Sequence, residues 1–133
     1  MNQITYKLNT SIQPSELSHV FTESGIRRPA DDLPRLKRMI ENSDILISAW
    51  IETELVGIAR AITDYSYCCY LSDLAVIKKY QSFGIGKELV RLLQEQLSEE
   101  VALILLSAPN AMEYYPHIGF EKIDNGFKVA RKR

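Results

Sequence analysis

The sequence predicts an α+β (mixed α/β) protein in which helices cover one sheet, and three observations predict it. Three β-like runs, 44–51, 55–63 and 68–76, follow one another closely enough to form an antiparallel meander. The apolar period then lengthens to the helical value over residues 85–97. A continuous apolar run at 101–107 comes next, short enough for a strand and apolar enough to be buried on both faces.

The elements follow in order. ITYKL at 4–8 is a short first strand, and Pro14 to Ser24 is a helix with Pro14 and Ser15 near its start and Gly25 beyond its end. GIRRPADDLP reads as a loop. After it Leu33, Leu36, Met39 and Ile40 recur at helical spacing and mark a second short helix, with Asp31 and Asp32 at the positive end of its dipole. DILISAWI at 44–51 and LVGIARAIT at 55–63 flank the polar ETE, a natural hairpin, and CCYLSDLAV at 68–76 extends the meander. In the long helix Ile85, Leu89, Leu92, Leu93 and Leu97 share one face, while Lys87, Glu88, Arg91, Gln94 and Glu95 lie elsewhere. VALILLS at 101–107 is the buried strand, APNAMEYYPHIGF a short helix or turn, and DNG between FEKI and FKVA suits a closing hairpin.

A chain of 133 residues holds one domain, 1–133, around a single core. Its formal net charge of -1 gives no basic field, so neither a nucleic-acid nor a membrane partner is expected. MNQITYKLNT lacks a basic stretch followed by an apolar one, and VALILL at 101–106 is too short to cross a bilayer, so a soluble, cytoplasmic protein is expected. Cys68 and Cys69 are adjacent in an extended segment and point to opposite faces, which suits reduced thiols rather than a bridge. They also lack a basic neighbour that would make either a nucleophile. His19 and His117 have no metal-ligand spacing to other donors, so no metal site is expected. Sheet edges would allow a homodimer, although no feature requires one.

The candidate site begins with VIKKYQSFGIGKELVRLL, residues 76–93, where two glycines stand between a strand and a helix. Gly84 and Gly86 let the backbone approach a ligand closely, and the amides of residues 81–87 then open a helix whose N-terminus favours anions. A nucleotide-hydrolysing loop needs glycine where Gln81 stands and Ser or Thr where Glu88 stands, and a dinucleotide fingerprint needs Gly or Ala where Leu89 stands.

The spacing Gln81-x-x-Gly84-x-Gly86 after an apolar strand ending at Val76 resembles the acyl-CoA loop of the GNAT N-acetyltransferase superfamily. NAMEYYPHIGF at 110–120 is similar to that family's second signature, with Tyr115 five positions before Phe120. The resemblance implies a central, mostly antiparallel twisted sheet flanked by helices, with a V-shaped opening between the strand ending at Val76 and the strand at 101–107. It further implies acetyl-CoA as cofactor. The pantetheine arm would pair with backbone near Leu74, Ala75 and Val76, and the pyrophosphate would lie on the amides of Gln81, Ser82, Phe83, Gly84, Ile85, Gly86 and Lys87. Asn110 matches a cofactor-contacting position, and its competing reading is a helix N-cap after Pro109.

The implied reaction is direct transfer of an acetyl group to an amine in a ternary complex, the acceptor being a small-molecule amine or a protein amine. An amine of pKa about 10.4 must attack as its free base, and a thiolate of parent pKa about 8.5 leaves more easily when protonated. Tyr115 matches the family's acid position; its competing reading is a core aromatic with a wet hydroxyl, as for Tyr114. Asp73 is the nearest carboxylate for the base, with Asp64 or Glu113 acting through water as further candidates. Strict alternation puts Tyr70, Ser72, Leu74 and Val76 on one face and Asp73 on the other, and Asp73 serves only if its face meets the substrate. GIRRPADDLP and TDYSYCC would line the acceptor side, where Tyr65, Tyr67, Asp31, Asp32 and Asp64 suit an amine while Arg27 and Arg28 would admit a carboxylate. The alternative to an enzyme is a non-catalytic acyl-CoA-binding or sensing domain.

Overall fold

The computed structural model describes residues 3–133; Met1 and Asn2, the first two residues of the expected domain, lie outside the described residues. The chain forms β1 (Ile4–Leu8), α1 (Pro14–Ser24), α2 (Leu33–Glu41), β2 (Ile45–Ile51), β3 (Glu54–Thr63) and β4 (Cys68–Val76). A 3₁₀ turn at Lys78–Phe83 leads into α3 (Ile85–Glu95), followed by β5 (Ala102–Ile104), a second 3₁₀ turn at Pro109–Ala111 and the short α4 (Tyr114–His117). The five strands lie in sequence order in one sheet; β1 to β4 pair antiparallel, and β5 joins β4 in parallel. This is the mostly antiparallel α+β sheet flanked by helices that the element order predicted.

Local chemistry explains the boundaries. The Gln13 N–H donates to the Glu16 carboxylate at 2.8 Å at the start of α1, Pro14 fills the first turn, and Gly25 closes the helix with φ of 82°. Asp32 caps α2 by accepting from the Arg35 N–H at 3.2 Å.

Alternating residues of the central strands feed two cores. On one face Ile45, Ile47, Ala49, Val56, Ala59 and Leu71 pack with Ile85, Leu89, Val90 and Leu93 of α3. On the other, Leu46, Trp50, Leu55, Ile58 and Ala75 pack with Leu17, Val20 and Phe21 of α1 and Leu36 of α2. β2 alternates strictly, whereas a bulge at Val56 puts Leu55 and Ile58 of β3 on the α1/α2 side and Val56 and Ala59 on the α3 side.

Two expectations are corrected. The run at 101–107 supplies only Ala102–Ile104 as strand, and its side chains alternate between exposed and half-buried instead of being buried on both faces. β5 ends the strand order, so its outer edge has no neighbouring strand to bury it. The closing hairpin around DNG does not form: residues 121–133 carry no strand, and Phe127 and Val129 are 98% and 100% exposed. An isolated hairpin is marginal in water, and a three-residue edge strand offers little to build on.

Leu89→Ala should lower unfolding free energy by about 2–5 kcal/mol in urea denaturation, because Leu89 is fully buried between α3 and the sheet. A loss below about 1 kcal/mol would mean that α3 is not seated as described.

Candidate functional site

The site is set by where β4 stops pairing with β5. Cys68, Cys69 and Tyr70 pair with Ala102, Leu103 and Ile104, and beyond Tyr70 the strand keeps β3 as its sheet neighbour on one side only. Leu71–Val76 and the chain after Ile104 are therefore not paired with one another. At the same point β4 carries a bulge: Ala61 pairs with Leu71 and Arg60 with Asp73, so Ser72 is the extra residue.

The bulge corrects the expected alternation. Cys69 and Leu71 before it, and Leu74 and Val76 after it, all belong to the α3 side, whereas Ala75 packs on the α1/α2 side. Ser72 and Asp73 are both turned to the α1/α2 side, where they meet the Arg60 guanidinium.

Asp73 is 0% exposed and held at both oxygens, with Arg28 Nε donating to Oδ1 and Arg60 Nε to Oδ2, each at 2.5 Å. The guanidiniums are satisfied further. Arg28 Nη2 donates to the Ser72 carbonyl at 2.7 Å and Nη1 to the Arg27 carbonyl at 2.6 Å. Arg60 Nη2 donates to Ser72 Oγ at 3.0 Å and Nη1 to the Met39 carbonyl at 3.3 Å. This removes Asp73 from the base role, since a base needs a lone pair open to the substrate and here both oxygens are committed. Asp73 instead ties the α1–α2 loop and the end of α2 to β3 and β4.

Past Val76 the chain turns through Lys78–Phe83 to Gly84, whose φ of 78° is left-handed and favours glycine. Glu88 N–H is bonded to the Gly84 carbonyl at 3.1 Å, leaving the preceding amides of the first turn of α3 without intrahelical partners. Nothing lies within 4 Å of where a Cβ on Gly84 would stand. Gln81, Ser82, Phe83 and Lys87 are exposed around this turn, and Ile85 is fully buried. The Gln81 side chain braces the turn, its amide donating to the Val76 carbonyl at 2.8 Å.

In α4, Tyr115 stacks edge-on between Tyr114 and Phe120, at ring separations of 5.4 and 5.5 Å. Burial pushes its phenol pKa up, the Tyr114 phenol adds to this, and the Arg28 guanidinium opposes it. Burial also raises the Tyr114 pKa. Asn110 is exposed within the second 3₁₀ turn and does not cap a helix.

The remaining candidates are placed apart from any reactive arrangement. Asp64 Oδ1 accepts from the N–H groups of Ser66, Tyr67 and Cys68, which lowers its pKa and makes it a turn-forming carboxylate. Cys68 is exposed and Cys69 buried, with the Cys69 thiol pushed up by burial. His19 faces Glu54 at 3.5 Å on the surface, bordering hollows beside α1 that Glu16, Glu23, Lys78 and Lys79 also line. No group of three or more metal-ligating side chains occurs, and no helix is long and apolar enough to cross a membrane, among the described residues.

Sequence reasoning missed Arg60 and the pair of guanidiniums that holds Asp73. The available signal was a lone arginine inside the apolar run LVGIARAIT, which demands a buried partner.

Comparison with known proteins is consistent with this geometry. A family model for the acetyltransferase (GNAT) domain matches residues 16–131. The chain is 32% identical over 127 residues to the uncharacterized N-acetyltransferase ycf52 of Pyropia yezoensis, spanning 90% of this chain and 71% of that one. A probable acetyltransferase of unknown function from meticillin-resistant Staphylococcus aureus superposes with a TM-score of 0.80 at 16% identity, over 97% of this chain and all of that one. An aminoglycoside N-acetyltransferase solved in complex with CoA superposes with a TM-score of 0.69 at 13% identity, over 100% of this chain and 97% of that one. At these identities the two solved structures speak for the fold.

Asp73→Asn should cost about 3–5 kcal/mol of stability, because it leaves the buried Arg60 guanidinium and the partly exposed Arg28 one without their anion. Equilibrium denaturation checks this; an unchanged midpoint with a shifted pH–rate profile would return Asp73 to the base role.

Proposed function

Because the chain belongs to the GNAT family of acetyltransferases, we propose that it transfers an acetyl group from acetyl-CoA directly to an amine in the opening between β4 and β5. The observation that carries this reading is a juxtaposition. β4 loses its β5 partner at Tyr70, and its free end runs into the glycine turn that opens α3. An extended, amide-bearing arm would find strand backbone at Leu74, Ala75 and Val76, and a diphosphate would find the amides of residues 81–87. The open space over Gly84 and the exposed Lys87 beside it suit that group, and exposed Asn110 borders the other wall. The CoA complex of the aminoglycoside N-acetyltransferase with the same fold supports the choice of acyl donor.

Bound acetyl-CoA supplies an activated acyl carbon and a thiol leaving group. Tyr115 contributes a proton at Oη, which any phenol holds through neutral pH and which burial holds more firmly still. As the amine nitrogen bonds to the acyl carbon and the C–S bond breaks, that proton passes to sulfur. A phenol is a weaker acid than a thiol, so the transfer is completed by the proton that the attacking nitrogen sheds, which returns to the phenolate through water. With Asp73 clamped, Asp64 bonded to its own turn and Glu113 exposed to solvent before α4, the amine enters as its free base, deprotonated by bulk water. The acceptor is an amine carried by a small molecule or a protein.

Thiol release from acetyl-CoA should appear with members of a panel of amines, amino acids and peptides. Below the amine pKa of about 10.4, kcat/KM should rise about tenfold per pH unit, with no inflection in the carboxylate range. Binding of acetyl-CoA without release across the panel would identify a binding domain instead.

Tyr115→Phe should lower kcat by about 10²–10⁴-fold and leave the acetyl-CoA Kd within about twofold. Unchanged turnover in this variant would remove Tyr115 from the acid role.

A further inference from the structure

The structure also accounts for Gly86 in a way that spacing alone does not. A Cβ at Gly86 would stand 2.6 Å from the Tyr114 hydroxyl oxygen and 3.6 Å from the ring carbon that bears it. Val76 Cγ2 lies 3.9 Å from the same point. The Tyr114 hydroxyl is thus lodged between the end of β4 and the first turn of α3, over the backbone that Gly86 leaves bare. Gly84 is glycine because of its left-handed φ, and Gly86 is glycine because this hydroxyl fills the space of a side chain.

We propose that Tyr114 is a cofactor-binding residue, its hydroxyl donating a hydrogen bond to the phosphate group held at the start of α3. This rests on the acetyl-CoA reading above and adds to it a side-chain donor that the spacing did not single out. Three features support it. The hydroxyl stands beside amides that have no intrahelical partners, so it shares their ligand. Tyr114 remains 40% exposed, so the residue is not sealed into the core. Its ring is braced edge-on against Tyr115, which fixes the hydroxyl in place before a ligand arrives. The two adjacent tyrosines then divide the work: Tyr114 holds phosphate at the mouth of the opening, and Tyr115 supplies the proton at the reacting end.

The experiment combines CoA calorimetry with thermal unfolding of the ligand-free protein for wild type, Tyr114→Phe, Gly86→Ala and the double variant. Tyr114→Phe should weaken CoA binding by about tenfold or more, the size of one hydrogen bond to a charged group, with its unfolding midpoint unchanged. Gly86→Ala should lower the midpoint, and Tyr114→Phe should restore it in the double variant, because removing the hydroxyl removes the clash. An unchanged CoA Kd in Tyr114→Phe would overturn the proposal. A Gly86→Ala penalty that is equal in both backgrounds would overturn it too, by showing that the hydroxyl is not over Gly86. If wild type fails to bind CoA at all, the fault lies with the acetyl-CoA reading itself.

Discussion

A buried carboxylate held by two guanidiniums organises the part of the molecule where β4 changes partner. Asp73 sits just after the bulge at Ser72, and Arg28 and Arg60 reach it from the α1–α2 loop and from β3. A buried ion pair is poor evidence of net stability, because its desolvation cost rivals its Coulomb gain. Its value here is geometric. With every surrounding donor directed to a named oxygen, the bulge has one satisfied arrangement, and that arrangement turns Leu74 and Val76 toward α3. Breaking any member leaves a buried charge unpaired, so the loop, the strand and the end of α2 stay in register together.

The end of β4–β5 pairing falls at the same place. β4 is bulged at the residues where pairing with β5 ceases, and the strand beyond is fixed from one side by β3 and from below by α3. Gln81 then ties the turn back to Val76, which sets the glycine turn at a fixed distance from the strand end. Tyr114 and Tyr115 are contributed by one short helix beside the turn that opens α3, with the Tyr114 hydroxyl over Gly86. Arg28 joins the two halves electrostatically, since it clamps Asp73 and also acts on the Tyr115 phenol.

Much of this was legible in the sequence. The first strand, both early helices, the meander and α3 came from apolar periodicity, which is a local property and survives folding. The glycine turn was legible from Gly84 and Gly86 after an apolar strand. What failed depended on distant partners. Whether 101–107 is buried on both faces, and whether 121–133 pairs, is decided by what lies at the outer edge of β5, and no local pattern encodes that. The bulge at Ser72 inverted the side-chain parity on which the assessment of Asp73 rested, because one inserted residue shifts every later side chain to the other face. The pair Tyr114 and Tyr115 gave no hint of which hydroxyl would reach α3, since that depends on how a four-residue helix is rotated.

The central claim is that acetyl-CoA enters between β4 and β5 and rests on the turn that opens α3. Titration of the isotopically labelled protein with acetyl-CoA, followed through backbone amide chemical shifts, tests it most directly. The account predicts saturable shifts centred on residues 74–76, 81–88 and 110–115. The absence of saturable shifts, or shifts centred instead on the surface around His19 and Glu54, would contradict it.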